Sequence, residues 1–169
     1  MGRRIFHVAF VMLLAGGLVV GLSGPASADK KSCKLVKPKE IALILGVQPT
    51  QVAQDFHISV LGSETCSFAV TKPDGGSEIV EVMSTVNGGA SAFNGEKKEA
   101  TVTRIPGLGT VHFVGTTSET GGRTTQGTAL TLLKGDKYLS VLISGDINPD
   151  PNAFKQQQSS LAKIARKRL

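Results

Sequence analysis

The first twenty-eight residues limit this chain more than any other feature, because they read as an export signal and so set the redox environment in which the rest must fold. Arg3 and Arg4 form a short basic start, residues 8–22 are apolar and uncharged, and Ala26-Ser27-Ala28 is a small-residue cleavage site of the A-x-A kind. Crossing a bilayer takes about 20 consecutive apolar residues. This run is shorter and interrupted by glycines, which favours a leader over residues 1–28, cut before Asp29, over a membrane anchor. Arg3-Arg4-Ile5-Phe6 also looks like a twin-arginine core, so the export route stays open between threading unfolded and crossing folded.

Export gives the cysteines their meaning. Cys33 and Cys66 are the only two in the chain, and an even pair outside the cytoplasm is expected to be oxidised. A bridge between them closes a loop of about 34 residues, which the loop-entropy argument makes worth about 3 to 4 kcal/mol. Their spacing is far from C-x-x-C and no second ligand cluster accompanies them, so structure is preferred to redox or metal chemistry.

Residues 29–169 have the length of one ordinary domain, large enough for a working core. Losing Arg3 and Arg4 with the leader takes the formal charge from +6 to +4. Many of the cations sit in two terminal groups, Lys30, Lys31, Lys34, Lys37 and Lys39, then Lys163, Arg166, Lys167 and Arg168. Such groups suit anionic envelope polymers or headgroups, or more simply the negative end of a helix dipole. Export argues against nucleic acid as a partner, and no membrane-spanning segment is expected after the leader.

Pro38 to Gly46 reads as a short helix with proline first and glycine just past its end. Residues 47–63 show no clean period and read as a long connection with a short strand near 56–60. Cys66, Phe68 and Val70 alternate with polar or small neighbours, and Pro73-Asp74-Gly75-Gly76 joins that strand to another over 79–83. Residues 90–100 read as a weakly amphipathic helix with Phe93 inward and Glu96 to Glu99 wet. Strands follow over 110–116, 124–133 and 138–143, the last two joined by Gly135-Asp136. Asp150 and Pro151 open a closing helix that buries Leu161, Ile164, Ala165 and Leu169 and leaves Gln156 to Gln158 wet. Short strand connections imply an antiparallel arrangement, so the expected fold is α+β: one twisted antiparallel sheet of about five strands with helices mainly on one face and one disulfide.

The search for chemistry returns little. His57 and His112 are the histidines beyond the leader, and neither has a partner identifiable from sequence. No G-x-S-x-G or H-E-x-x-H is present. Gly107-Leu108-Gly109 lacks the third glycine of a dinucleotide loop and leads into a strand, so a tight turn explains it. Asp146 to Asp150 begins like a calcium loop, but Pro151 stands where glycine is needed and Gln157 where glutamate is needed. Glu78, Glu81, Glu96, Glu99 and Glu119 read as scattered and solvent-facing, and the phenylalanines as core. Catalytic, cofactor and metal residues are accordingly assigned to none, and no cofactor is expected.

Cys33, the helix ending Ala42-Leu43-Ile44-Leu45-Gly46, Cys66 followed at two residues by Phe68, Gly107-Leu108-Gly109 before a strand, and the closing Leu161-Ala162-Lys163-Ile164-Ala165 together resemble a family of actinobacterial exported domains of unknown function, many of them lipoproteins. The resemblance implies a compact α+β domain with a Cys33–Cys66 bridge, similar to PsbP-like sandwiches, and carries over no catalytic residue. Asp29-Lys30-Lys31-Ser32 before Cys33 departs from a lipobox, which implies free secretion or retention in the cell wall. The function expected first is a non-catalytic secreted or envelope binding domain for an envelope protein, polymer or lipid. A secreted inhibitor of an external enzyme acting through residues 118–125 is second, and a small hydrolase third.

Overall fold

The computed structural model describes residues 31–60, 62–85, 88–96, 100–120, 123–145 and 151–169. The expected leader and the acidic stretch 146–150 therefore lie outside the described residues. Helices α1 (Lys31–Leu35) and α2 (Pro38–Leu45) and a 3-10 turn (Pro49–Gln51) lead into strands β1 (Val52–Val60), β2 (Ser63–Thr71) and β3 (Ser77–Thr85). Helix α3 (Gly89–Gly95) precedes β4 (Thr101–Ile105), β5 (Gly109–Thr120), β6 (Arg123–Lys134) and β7 (Lys137–Gly145), and α4 (Pro151–Arg168) closes the chain. All seven strands join one antiparallel sheet in the order β1-β2-β3-β7-β6-β5-β4.

The α+β class, the antiparallel sheet and the disulfide match the sequence reading; the count of about five strands does not. The difference lies at the sheet's edges: β4 had no counterpart in the reading, and β1 extends the short strand expected near 56–60 back to Val52. In β1 the register shifts between Gln54 and Phe56, leaving Asp55 out of the pairing. That bulge breaks the period-two alternation which would have marked a strand, and it blunts the edge against further pairing. Thr101 to Arg104 in β4 are all exposed, so no apolar stripe announces the strand either. The helix expected over 90–100 is likewise shorter: α3 stops at Gly95, and β4 begins at Thr101.

Cross-strand partners share a face, so the registers sort the side chains. Phe68, Val80 and Ile143 lie in one row, and Cys66, Val82, Val141, Leu130 and Phe113 in the next. These residues are buried in a single apolar cluster with Val36, Ile41 and Ala42 from the amino-terminal segment and Phe154, Leu161 and Ala165 from α4. Helix α1 is tied to β2 by the Cys33–Cys66 bridge, with the two Cα atoms 5.1 Å apart, an ordinary separation for a disulfide. Helix α2 starts with Pro38, and Glu40 accepts the Lys37 backbone N–H at 2.8 Å. Gly46 ends it in the left-handed conformation, as its place in the sequence implies. Gln158, read as wet, is instead fully buried in α4, where its side-chain amide donates to the Thr128 carbonyl.

Among the described residues, the opposite face carries only α3. Gly89 brings this helix against the turn between β6 and β7 so closely that a Cβ there would sit 2.6 Å from both the Asp136 carbonyl oxygen and the Tyr138 nitrogen. Only glycine allows that approach. Among the described residues no helix is long and apolar enough to cross a membrane.

Candidate functional site

Beneath α3 the structure assembles polar groups that lie far apart in the chain. His112 and Tyr138 point to the α3 side of the sheet because their neighbours Val111, Phe113 and Leu139 point to the apolar side. Glu96, just past the end of α3, accepts the Tyr138 hydroxyl at 2.5 Å and the Thr131 hydroxyl at 2.6 Å. The His112 ring stacks on Phe93 with centroids 3.8 Å apart and planes 8° from parallel. Its Nδ1 lies 3.8 Å from Glu96 Oε2, and neither ring nitrogen has a hydrogen-bond partner among the described residues. Burial pushes the Tyr138 phenol above its ordinary range, and the carboxylate it donates to pushes it in the same direction.

A carboxylate, an imidazole and a phenol in one place are the raw material of acid–base catalysis, but here the imidazole and the phenol are buried and only the Glu96 carboxylate is partly open to solvent. His112 has no exposed surface and Tyr138 only 3%. A general base must reach the proton it removes, and in this arrangement the groups reach one another and α3. Their evident work is to clamp α3 to the sheet. Glu96 is therefore not the wet residue the sequence suggested. No nearby acid in sequence marks His112, since Glu96 reaches it only through the fold.

Glu78 and Glu81 also depart from the solvent-facing reading. Glu78 is buried and paired with Lys72. Glu81 lies on the α3 side of the sheet between Ser67 and Leu142, and burial holds its carboxyl above the usual carboxylate range. Ser67, opposite it on β2, is fully buried with its hydroxyl unpartnered among the described residues. His57 sits across from Cys66 on β1, remote in the sheet from His112. Four of the phenylalanines, Phe68, Phe93, Phe113 and Phe154, are buried as expected; Phe56 is 38% exposed. Gly107 and Gly109 have φ of 83° and 86° in the turn between β4 and β5, the left-handed geometry anticipated for them. Among the described residues no group of three or more histidine, cysteine, aspartate or glutamate side chains could hold a metal ion.

What opens to solvent is basic. A cavity of about 210 Å³ lies where α1 meets the last residues of β3, the start of β7 and the end of α4. Lys31, Lys34 and Lys137 line it together with Ser84, Thr85, Leu35 and Leu169, and no lining side chain is acidic. Arg168, also on its wall, is engaged with Glu40 through bonds of 2.7 and 2.6 Å. Lys134 donates to the Arg166 carbonyl at 2.9 Å at the end of α4, and Lys137 donates at 2.6 Å to a terminal oxygen of Leu169, the last residue, which also lines the cavity. The Thr85 hydroxyl is buried without a hydrogen-bond partner among the described residues, on the α3 side of the sheet that its cross-strand partner Tyr138 shares. A second, wider hollow lies between β4, β5 and α4, with Lys155 and Lys163 on its rim and Lys155 above the Phe113 ring.

The β5–β6 hairpin reaches beyond its neighbours. Residues 114–120 of β5 have no partner in β4, and residues 123–125 of β6 have none in β7, while the two strands pair with each other out to Thr120 and Arg123. The segment 118–125 is thus the end of a ribbon that, among the described residues, is paired only with itself, and residues 121 and 122 lie outside the described residues. No family model matches the chain, and no curated protein matches it. One solved structure, a crystal structure from Bacteroides thetaiotaomicron VPI-5482, is similar with a TM-score of 0.41 and 12% identity, and the match covers 66% of this chain and 41% of that one, a likeness too slight to carry an argument.

Proposed function

We infer that this chain is an exported, non-catalytic binding domain of the cell envelope, related to the actinobacterial exported domains it resembles. The observation that carries the reading is the division of labour among its polar side chains. Those able to move protons, Glu96, His112 and Tyr138, are packed against one another beside α3, whereas no acidic or imidazole side chain lines the cavity formed by α1, β3, β7 and the end of α4. The Cys33–Cys66 bridge is compatible with a location outside the cytoplasm. Such a domain retains an envelope protein, polymer or lipid. Immobilised protein incubated at low salt with solubilised envelope material tests this directly: specific retention of a component is expected, and recovery of nothing beyond a blank support ends the reading.

A second reading has its own observation. The projecting β5–β6 ribbon suits an inhibitor that offers its tip to an external enzyme. Alanine substitutions in residues 118–125 would then abolish inhibition without moving the melting temperature; loss of inhibition only in variants that unfold would count against it.

A further inference from the structure

We propose that the part of the α3-bearing sheet face which α3 leaves open, across β1, β2 and β3, docks an amphipathic helix of a partner protein, with a lysine or arginine of that helix seated on Glu81 and its apolar side chains laid on Phe56, Ile58 and Ile79. This narrows the envelope partner of the preceding reading to a protein; it rests on that reading for the partner's source and on the face alone for its chemistry.

The strand registers define the patch. Phe56, Ser67, Glu81 and Leu142 form one row across β1, β2, β3 and β7, with Ile58, Thr65 and Met83 in the row on one side and Ala69 and Ile79 in the row on the other. Helix α3 sits elsewhere on this face, with Gly89 against Tyr138 and Phe93 on His112. Phe56, Ile58 and Ile79 are accordingly 38%, 50% and 40% exposed, three of the five large apolar side chains left open among the described residues. Scattered exposed hydrophobics are ordinary, but apolar groups gathered in one patch mark an interaction surface. Glu81 stands at its centre as the one charged residue of these rows. It makes no ion pair or hydrogen bond among the described residues, and burial raises its carboxyl with no cation to offset the desolvation. Ser67, directly across from it, is fully buried with its hydroxyl unpartnered among the described residues. Orphaned buried polar atoms are uncommon, so the centre of the patch is polar and unsatisfied within an apolar surround.

That pattern selects the occupant. The charge is negative, which repels an anionic membrane or polymer, and a second copy meeting the same patch would bring another Glu81 and no cation. Strand addition is closed here as well, because β2 and β3 each pair on both sides and offer a partner side chains only. A segment lying on apolar side chains must then satisfy its own peptide groups. A helix does so within itself, and a basic amphipathic helix brings the missing cation together with apolar anchors at three- and four-residue spacing.

The test is a titration of the exported protein with three synthetic helical peptides roughly five turns long, identical except at one position inside a leucine stripe, which carries lysine, leucine or glutamate. Saturable binding of the lysine peptide is expected, with amide shifts centred on Phe56, Ile58, Ile79 and Glu81 and an affinity that falls as salt shortens the screening length. The leucine peptide should bind several-fold more weakly and the glutamate peptide at least tenfold more weakly. Glu81→Gln, which keeps the shape, should weaken the lysine peptide several-fold. Glu81→Lys should weaken it at least tenfold and invert the order, so that the glutamate peptide binds best, an exchange that general stickiness does not produce. Ile58→Ser should weaken all three peptides, and Val102→Ser, exposed on the same face at the β4 edge, should change none. Equal affinity for the three peptides, an order that Glu81→Lys does not invert, or absence of saturable binding overturns the site. So does a concentration-dependent dimer in sedimentation that Ile58→Ser disperses, since the occupant would then be a second copy. No peptide binding with envelope retention intact removes the site and leaves the domain reading standing; peptide binding with nothing retained from the envelope does the reverse.

Discussion

The two faces of the sheet are built on different physics. On one, α1, α2 and α4 cover rows of valine, leucine and phenylalanine, and the disulfide pins the first helix to β2. On the other, a seven-residue helix, α3, is held by a stacked imidazole, a carboxylate with two hydroxyl donors, and the close approach at Gly89. Apolar burial is non-directional and grows with area, so the covered face carries most of the stability. Polar clamps are directional and strong only when complete, so the α3 face gains a defined position for a short helix that has little apolar surface to bury. Polar residues that look like chemistry in the sequence are therefore found where the fold lacks hydrophobic cover.

The comparison breaks first at Phe68. This side chain is 1% exposed in the middle of the covered face, and Phe68→Ala should cost about 4 kcal/mol in urea unfolding, as phenylalanine truncations in close-packed cores do. Leu142→Ala on the opposite face, where the side chain is only half-buried, should cost less than half of that, about 1 to 2 kcal/mol. Equal losses would mean that the α3 face is packed as tightly as the other. Next in size is the crosslink. Replacing Cys33 and Cys66 by serine should cost about 3 kcal/mol through the larger unfolded ensemble, with α1 the first segment to lose amide protection from exchange. A loss within error of zero would show that α1 holds its place by packing alone.

Glu96→Ala probes the polar face at a smaller scale. It removes the acceptor of two hydroxyls, one of them the Tyr138 phenol, and should cost about 2 kcal/mol, the scale of bonds to a charged group less the relaxation of freed hydroxyls toward water. A sharper readout exists, because Tyr138 is the only tyrosine and the chain has no tryptophan. Its phenolate absorbance titrates a single site. Glu96→Ala should bring that titration down toward the ordinary range, since the carboxylate is one of the causes holding it up. A titration that does not move would leave burial as the whole cause and remove Glu96 from the clamp.

How far the sequence foretold this follows from the same contrast. The β2–β3 and β6–β7 hairpins were legible because each pairs an alternating strand with a specific turn, Pro73 to Gly76 and Gly135-Asp136. Helix α2 was legible from Pro38 and Gly46, the body of α4 from its apolar spacing, and the disulfide from two cysteines behind an export signal. Strand β4 was not, and β1 was read only in its second half, near 56–60, because edge strands need no continuous apolar stripe and the bulge at Asp55 shifts the alternation midway. The Glu96 cluster was invisible for a different reason: it is created by α3 crossing over β5, β6 and β7, and no local pattern encodes a meeting of residues 96, 112, 131 and 138. The one trace is Gly89 before Phe93, a glycine that permits a helix to touch backbone. The basic cavity was half legible. Both terminal lysine and arginine groups were noted, but Lys137, Ser84 and Thr85 join them only through the register of β3 with β7.

Two glutamates, one beside each face, give the finest version of the comparison because their stability contributions should run oppositely with pH. Arg168 grips Glu40 with two short bonds and lowers its carboxyl from 4.5 to about 2. A lowered folded value means the pair stabilises above the unfolded value and loses its contribution as pH falls from about 4.5 toward about 2. Because the pair is partly open to solvent and screened, Glu40→Gln should cost about 1 kcal/mol at pH 7 rather than the full amount such a shift implies, and the difference from the parent should close across that acidic window. Glu81 is raised by burial and has no opposing cation among the causes. Its ionised form therefore opposes folding at neutral pH, and the opposition fades as pH falls through its raised folded value. Glu81→Gln should accordingly raise the melting temperature at pH 7 and leave it unchanged once pH is below the ordinary carboxylate range. Parallel melting curves from pH 7 down to pH 3 measure both variants together. Two differences of the same sign would mean that Glu81 finds a counter-charge on its face, and the assignment of that face as the one poor in cover would have to be redrawn.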